Sequence, residues 1–136
     1  MKQALATVSL LVPSYEAGLS FYVDALGFRL VEDTALGSGK RWVTVAPPGG
    51  GGARLLLTEP GSPEQAAAIG RQAGGRVFLF LETDDFQRDH RRYLAAGVAF
   101  LEAPRHEAYG TVAVFQDPFG NKWDLLQPAH KGSPSA

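Results

Sequence analysis

A chain of 136 residues can build one compact domain with a sizeable core, or two small modules sharing a core, but not two independent domains. With 45% hydrophobic residues, 20% charged residues and a formal net charge of -1, it has apolar area enough to fold. It has no electrostatic reason to hold nucleic acid or an anionic membrane, so a small neutral or mixed-charge molecule is the expected partner. Zero cysteines exclude disulfides, thiolate metal sites and cysteine nucleophiles together.

The chain opens on "MKQALATVSLLV", which has one lysine and an apolar run too short to span a bilayer before Pro13 breaks it. It reads as the first strand of a cytoplasmic protein. Pro13 and Ser14 then open a helix whose Ala17, Phe21, Tyr22, Ala25 and Leu26 recur at helical spacing, and Gly27 ends it. "FRLVED", "RWVTVA" and "RLLLTE" follow as strands. The intervening "PPGGGGA" is a turn or loop; it lacks the lysine and the following helix of a phosphate-binding loop. Residues 4–58 thus form a first βαβββ module. Residues 59–75, "EPGSPEQAAAIGRQAGG", read as a linker with room for a short helix over the alanines.

The second module, residues 76–128, repeats the order. "RVFLFLET" is a strand, Asp84 or Asp85 caps a helix with a buried stripe of Phe86, Tyr93 and Leu94, and Gly97 closes it; "VAFLEA", "TVAVFQ" and "KWDLLQ" are strands. The spans Ser14 to Gly27 and Asp85 to Gly97 are nearly equal, which indicates an internal duplication at about 70 residues. Residues 129–136 have nothing to pack and read as a loose tail.

Strand faces indicate where chemistry can sit. In "FQDPFGNKWDLLQP", Asp117, Pro118, Gly120 and Asn121 spell a tight turn, and the strand beyond it places Asp124 on one face with Lys122 and Leu126. One set of alternating positions (Val8, Leu10, Val12, Leu55, Leu57, Val77, Leu79, Leu81, Trp123, Leu125) is uniformly apolar and faces helices. The other set mixes Thr7, Ser9 and Leu11 with Arg54, Leu56 and Thr58, and Arg76, Phe78 and Phe80 with Lys122, Asp124 and Leu126. Large aromatics among a few polar groups suit a small-molecule pocket. Its candidate lining is Thr7, Ser9, Leu56, Phe78, Phe80 and Asp124, with Trp42, Arg76 and Tyr109 at its margin.

Bland alternatives stand beside each of these. Asp124 is either a pocket hydrogen-bond acceptor or the ion-pair partner of Arg54, Arg76 or Lys122. Trp42 suits a core or dimer contact as well as a pocket, and Arg54 and Arg76 suit a rim. Residues 105–110, with Arg105, His106, Glu107 and Tyr109 ahead of Gly110, form either a mobile pocket edge or a solvated loop. His90, His106 and His130 lack ligand spacing and read as solvated surface residues, and Asp84 with Asp85 is a helix start and not a catalytic dyad.

The paired βαβββ units, the run "LLVPSYEAGLSFYVDALGFRLVED" and the terminal "TVAVFQDPFGNKWDLLQP" resemble the vicinal oxygen chelate superfamily, which includes glyoxalase I, extradiol dioxygenases and the fosfomycin and bleomycin resistance proteins. The resemblance runs from about Leu5 to Pro128 and is carried by "FYVDALGF" together with "DPFGN". It implies an α+β fold in which two tandem modules form a half-open mixed-sheet barrel, the glyoxalase/bleomycin resistance/dioxygenase fold, and it implies a homodimer. Family members usually hold a divalent metal with one residue from the first and one from the last strand of each module. Those positions here are Thr7, Leu56, Phe78 and Asp124, and only Asp124 could bind a metal well.

The expected function is therefore metal-free, cofactor-free binding of a small aromatic or mixed-polarity molecule. The alternatives are a lyase, isomerase or dioxygenase using Asp124 as catalytic base with the 105–110 segment, and a structural or regulatory dimer with a vestigial cavity. Protein purified without a histidine tag is expected to carry no stoichiometric metal and to take up none on titration with Ni, Zn, Mn or Fe(II). Elemental analysis checks this, and tight stoichiometric binding would point to a site outside the four positions.

Overall fold

The structure, a computed structural model, describes residues 1–129; His130 and the remaining expected tail lie outside the described residues. The fold is α+β and falls into two compact units, Met1–Ile69 and the chain from Gly70 onward. Each contains one open mixed sheet.

In the first unit β1 (Thr7–Leu11) leads to α1 (Tyr15–Leu19), whose N-terminus is capped by the Ser14 side chain accepting from the Ala17 N–H at 3.1 Å. The helix does not stay regular as its spacing predicts: Ser20–Ala25 widens into a π-helical turn. That turn buries the consecutive aromatics Phe21 and Tyr22, whose rings meet edge to face at 4.9 Å. Gly18 lets the helix approach β4 closely, because a Cβ there would lie 2.9 Å from Leu57 Cδ1. β2 (Arg29–Gly37), β3 (Lys40–Ala46) and β4 (Arg54–Thr58) complete a sheet of order β1-β4-β3-β2, with β1 parallel to β4. Leu10, Val12, Val43, Val45, Leu55 and Leu57 are buried. A short helix, α2 (Pro63–Ala67), lies in the segment expected as a linker, with Ser62 accepting from the Gln65 N–H.

The second unit repeats this order. β5 (Val77–Glu82) is followed by α3 (Phe86–Ala95), with Asp85 as its N-cap. β6 (Ala99–Phe100), β7 (Arg105–Glu107), β8 (Gly110–Gln116) and β9 (Lys122–Pro128) give the order β5-β9-β8-β6, with β7 also on β8 and β5 parallel to β9. The place that β2 fills in the first unit is shared here by β6 and β7. "VAFLEA" is therefore not one strand. The Leu101 N–H donates to the Val114 carbonyl at 2.9 Å, but the Val114 N–H is taken by the Glu102 carboxylate at 3.0 Å, so a side chain replaces the main chain in the ladder. Beyond that gap, Arg105–Glu107 pairs as a strand, so the segment expected as a loop begins as part of the sheet.

Helix α3 buries Phe86 and Tyr93 as its pattern predicts, while Leu94 is 51% exposed, because the apolar stripe is narrower than the sequence count allows. His90 is also not a free surface residue. Half-buried, its ring stacks on Phe86 at 5.3 Å and meets Phe100 at 4.6 Å.

The β8–β9 turn is closed by Asp117, which is 1% exposed. Its carboxylate accepts from the Phe119 N–H at 3.0 Å, the Asn121 N–H at 2.8 Å and the Asn121 side-chain amide at 2.7 Å. Gly70 packs on the same turn at φ +75°, where a Cβ would lie 1.9 Å from the Phe119 carbonyl oxygen. Because Asp117→Ala leaves buried donors unpaired, it is expected to lower unfolding stability by about 3 kcal/mol, read from the urea midpoint.

Candidate functional site

On the second unit, cross-strand register places Phe80 (β5), Asp124 (β9) and Val114 (β8) in one row, and Glu102 caps the Val114 N–H at its end. A bulge alters the expected faces of β5. Val77 pairs with Lys122 and Leu79 with Trp123, so one extra residue, Phe78, lies between them. That shift puts Val77 across from Lys122, on the face of Asp124 and not on the helix-facing set where simple alternation placed it. Val77, Leu101, Glu102, Val114 and Lys122 line an open pocket of about 320 Å³. Phe80 is 64% exposed. Phe78 is half-buried, and Arg76, just before β5, is exposed.

Asp124 is half-buried, and its Oδ1 is buried with no hydrogen-bond partner among the described residues. The ion-pair alternatives to a pocket role lose two of their partners. Lys122 Nζ donates to the Gly75 carbonyl at 3.0 Å, and Arg54 lies 3.6 Å from Glu32. Arg105 is engaged as well, donating to both Glu102 oxygens at 3.0 and 3.1 Å and to Glu107 at 2.8 Å, with the half-exposed Tyr109 hydroxyl 3.5 Å away. Burial raises the Asp124 carboxyl above the usual carboxylate range; the Arg105 charge works against that and the Glu102 charge adds to it.

The first unit carries a matching row of Ser9, Leu56, Thr44 and Glu32 across β1, β4, β3 and β2. Thr7 pairs with Arg54 on the same face. Glu32, which sequence reasoning did not single out, gathers this face: Trp42 Nε1 donates to its Oε1 at 3.1 Å and Thr44 Oγ1 at 3.2 Å. Trp42 is 39% exposed and held by that bond, so its indole is not core. The signal lay in the β2–β3 hairpin, which sets Glu32 opposite Thr44, but that register needs the turn geometry to be known.

The donor set does not fit a divalent metal at the four positions the family resemblance marks. Leu56 and Phe78 have no donor atom, Thr7 offers an exposed hydroxyl, and only Asp124 is a carboxylate. Among the described residues no three His, Asp or Glu side chains come together to hold a metal ion.

A family model described as the Glyoxalase/Bleomycin resistance protein/Dioxygenase superfamily matches residues 4–125. An uncharacterized protein of Shewanella frigidimarina (strain NCIMB 400) is 52% identical over 128 residues, covering 93% of this chain and 95% of its own. Among solved structures, UcmS2 matches with a TM-score of 0.79 at 29% identity over 93% of this chain and 98% of its own. TnmS3, described as an antibiotic binding protein from Streptomyces sp. CB03234, matches with a TM-score of 0.74 at 32% identity over 95% and 98%.

The raised carboxyl of Asp124 has a consequence for stability. A folded-state pKa above the unfolded value means the native state binds the proton better, so this contribution is present at low pH and lost as pH rises through the folded value. Asp124→Asn cannot ionise. It is expected to raise Tm at neutral pH and to lose that advantage at about pH 3, below the ordinary aspartate range, in calorimetric scans at the two conditions.

Proposed function

The chain belongs to the glyoxalase/bleomycin resistance protein/dioxygenase superfamily, and from that premise we propose that it binds a small aromatic or mixed-polarity molecule without a bound metal and without altering it. The observation that carries this reading is the orphan Asp124 Oδ1 in the same row as an exposed Phe80, beside an open pocket. A buried acceptor with no donor is costly in the free protein, so this face keeps an unanswered polar group next to its apolar area. The ring of Phe80 and the side chains of Val77 and Val114 offer apolar area for a ligand to cover, at about 25 cal/mol per Å². That TnmS3, 32% identical, is an antibiotic binding protein supports a small molecule as the partner.

Turnover is less well supported. A lyase, isomerase or dioxygenase step at Asp124 needs a second group to exchange the proton or polarise the substrate, and Arg105 is already held by Glu102 and Glu107. A cytoplasmic homodimer belongs to the same proposal. No helix among the described residues is long and apolar enough to cross a membrane.

The test is a fluorescence titration with planar aromatic probes, followed by chromatography of the recovered probe. Saturable binding with the probe unchanged is expected, and conversion to a product would overturn the binding-only reading. Phe80→Ala is expected to weaken binding roughly tenfold, the size of one lost aromatic contact of about 1–1.5 kcal/mol. Light scattering should report twice the chain mass.

A further inference from the structure

Three apolar side chains and two charged ones share the wall of the open pocket of about 320 Å³ on the second unit: Val77, Leu101 and Val114 with Glu102 and Lys122. The two charges are answered differently. Both Glu102 oxygens accept from Arg105 Nε, at 3.0 and 3.1 Å, and one of them also takes the Val114 N–H at 3.0 Å. Lys122, half-buried, has no counter-charge: it forms no ion pair among the described residues, and its ammonium gives one N–H to the Gly75 carbonyl at 3.0 Å. An ammonium carries three donors, so two remain for a ligand. Arg76, exposed between the lining residues Gly75 and Val77, forms no ion pair among the described residues either.

Resting on the small-molecule reading above, we propose that this pocket selects a small aromatic molecule carrying a carboxylate, its charged end on the Lys122 ammonium and its ring against Val77, Leu101 and Val114. The groups present rank the competing ligand chemistries. A cation meets the Lys122 charge, and the carboxylate on the wall is already occupied by Arg105 and the Val114 N–H. A neutral ring with a carbonyl accepts one Lys122 N–H but leaves the ammonium charge unanswered. A carboxylate does both, and charge-assisted bonds are roughly twice as strong as neutral ones. Asp124, on the same side of β9, is the opposing charge; it does not line the pocket, so solvent screens its effect on such a ligand more than that of Lys122. Leu101 is 49% exposed in the free protein, so the ring gains apolar area there.

Three probes with one ring and different heads test this: 2-naphthoate, anionic at neutral pH; naphthalene-2-carboxamide, neutral; and 2-naphthylmethylamine, cationic. Calorimetric titration of the full chain at low salt is expected to give the carboxylate about fivefold tighter than the carboxamide, the upper end of what a partly exposed ion pair contributes, with the amine weakest. Lys122→Met should cost the carboxylate more than the carboxamide and abolish the difference between them. Raising NaCl to about 1 M, where the screening length is about 3 Å, should shrink the same difference in the wild type. A carboxylate no tighter than the carboxamide or the amine, or a carboxylate preference that persists in Lys122→Met, would overturn the proposal. Should Lys122→Met not fold, the wild-type ranking and its loss in salt decide. Binding of all three probes alike sinks the charge selection and leaves the small-molecule reading standing. Binding of none sinks both.

Discussion

Parallel pairing of the first strand with the last is the constraint on which each unit depends. β1 lies beside β4 and β5 beside β9, and a parallel pair cannot be joined by a tight turn. The chain must cross over, and it does so through a helix and two further strands in the first unit and a helix and three in the second. The helix covers one face of the sheet, so Leu10, Leu55 and Leu57 in the first unit, and Leu81, Trp123 and Leu125 in the second, are buried beneath it. The opposite face is free of that demand. It can therefore carry Thr7, Ser9 and Glu32 in one unit and Phe80, Asp124 and Lys122 in the other without loss of core.

What the free faces do with that latitude differs between the units. On the first, Glu32 satisfies Trp42 and Thr44 and lies near Arg54, so its polar groups answer one another. On the second, the strongest bonds bypass Asp124. Arg105 serves Glu102 and Glu107, and Lys122 serves a main-chain carbonyl, so the buried Oδ1 of the central carboxylate has no hydrogen-bond partner among the described residues.

Two local irregularities shape that second face. The bulge at Phe78 turns Val77 toward Lys122 and opens the pocket wall, and the break between β6 and β7 lets the Glu102 side chain enter the ladder at Val114. The first is a single extra residue, and the second a gap of four residues, 101–104. Neither changes the strand order, and both change which side chains meet the pocket.

Much was legible along the chain because local chemistry specifies it. Ser14, Asp85, Gly27 and Gly97 mark helix ends by their capping and positive-φ chemistry, Asp117 to Asn121 marks a hairpin, and period-two alternation separates the buried from the mixed face. The repeated order of elements and the motifs "FYVDALGF" and "DPFGN" were enough to indicate the family, and the lack of donor atoms at Leu56 and Phe78 was plain from residue identity alone. The π-helical turn, the bulge at Phe78, the strand nature of Arg105–Glu107 and the role of Glu32 were not legible. The last three depend on which residues face one another across strands, a register set by the cross-strand hydrogen bonds of the folded sheet. For the same reason the choice between an ion-paired and an unpaired Asp124 waited on tertiary structure. Its candidate partners were all present in the sequence, and only the folded chain decided that Lys122 turns to Gly75 and Arg54 to Glu32.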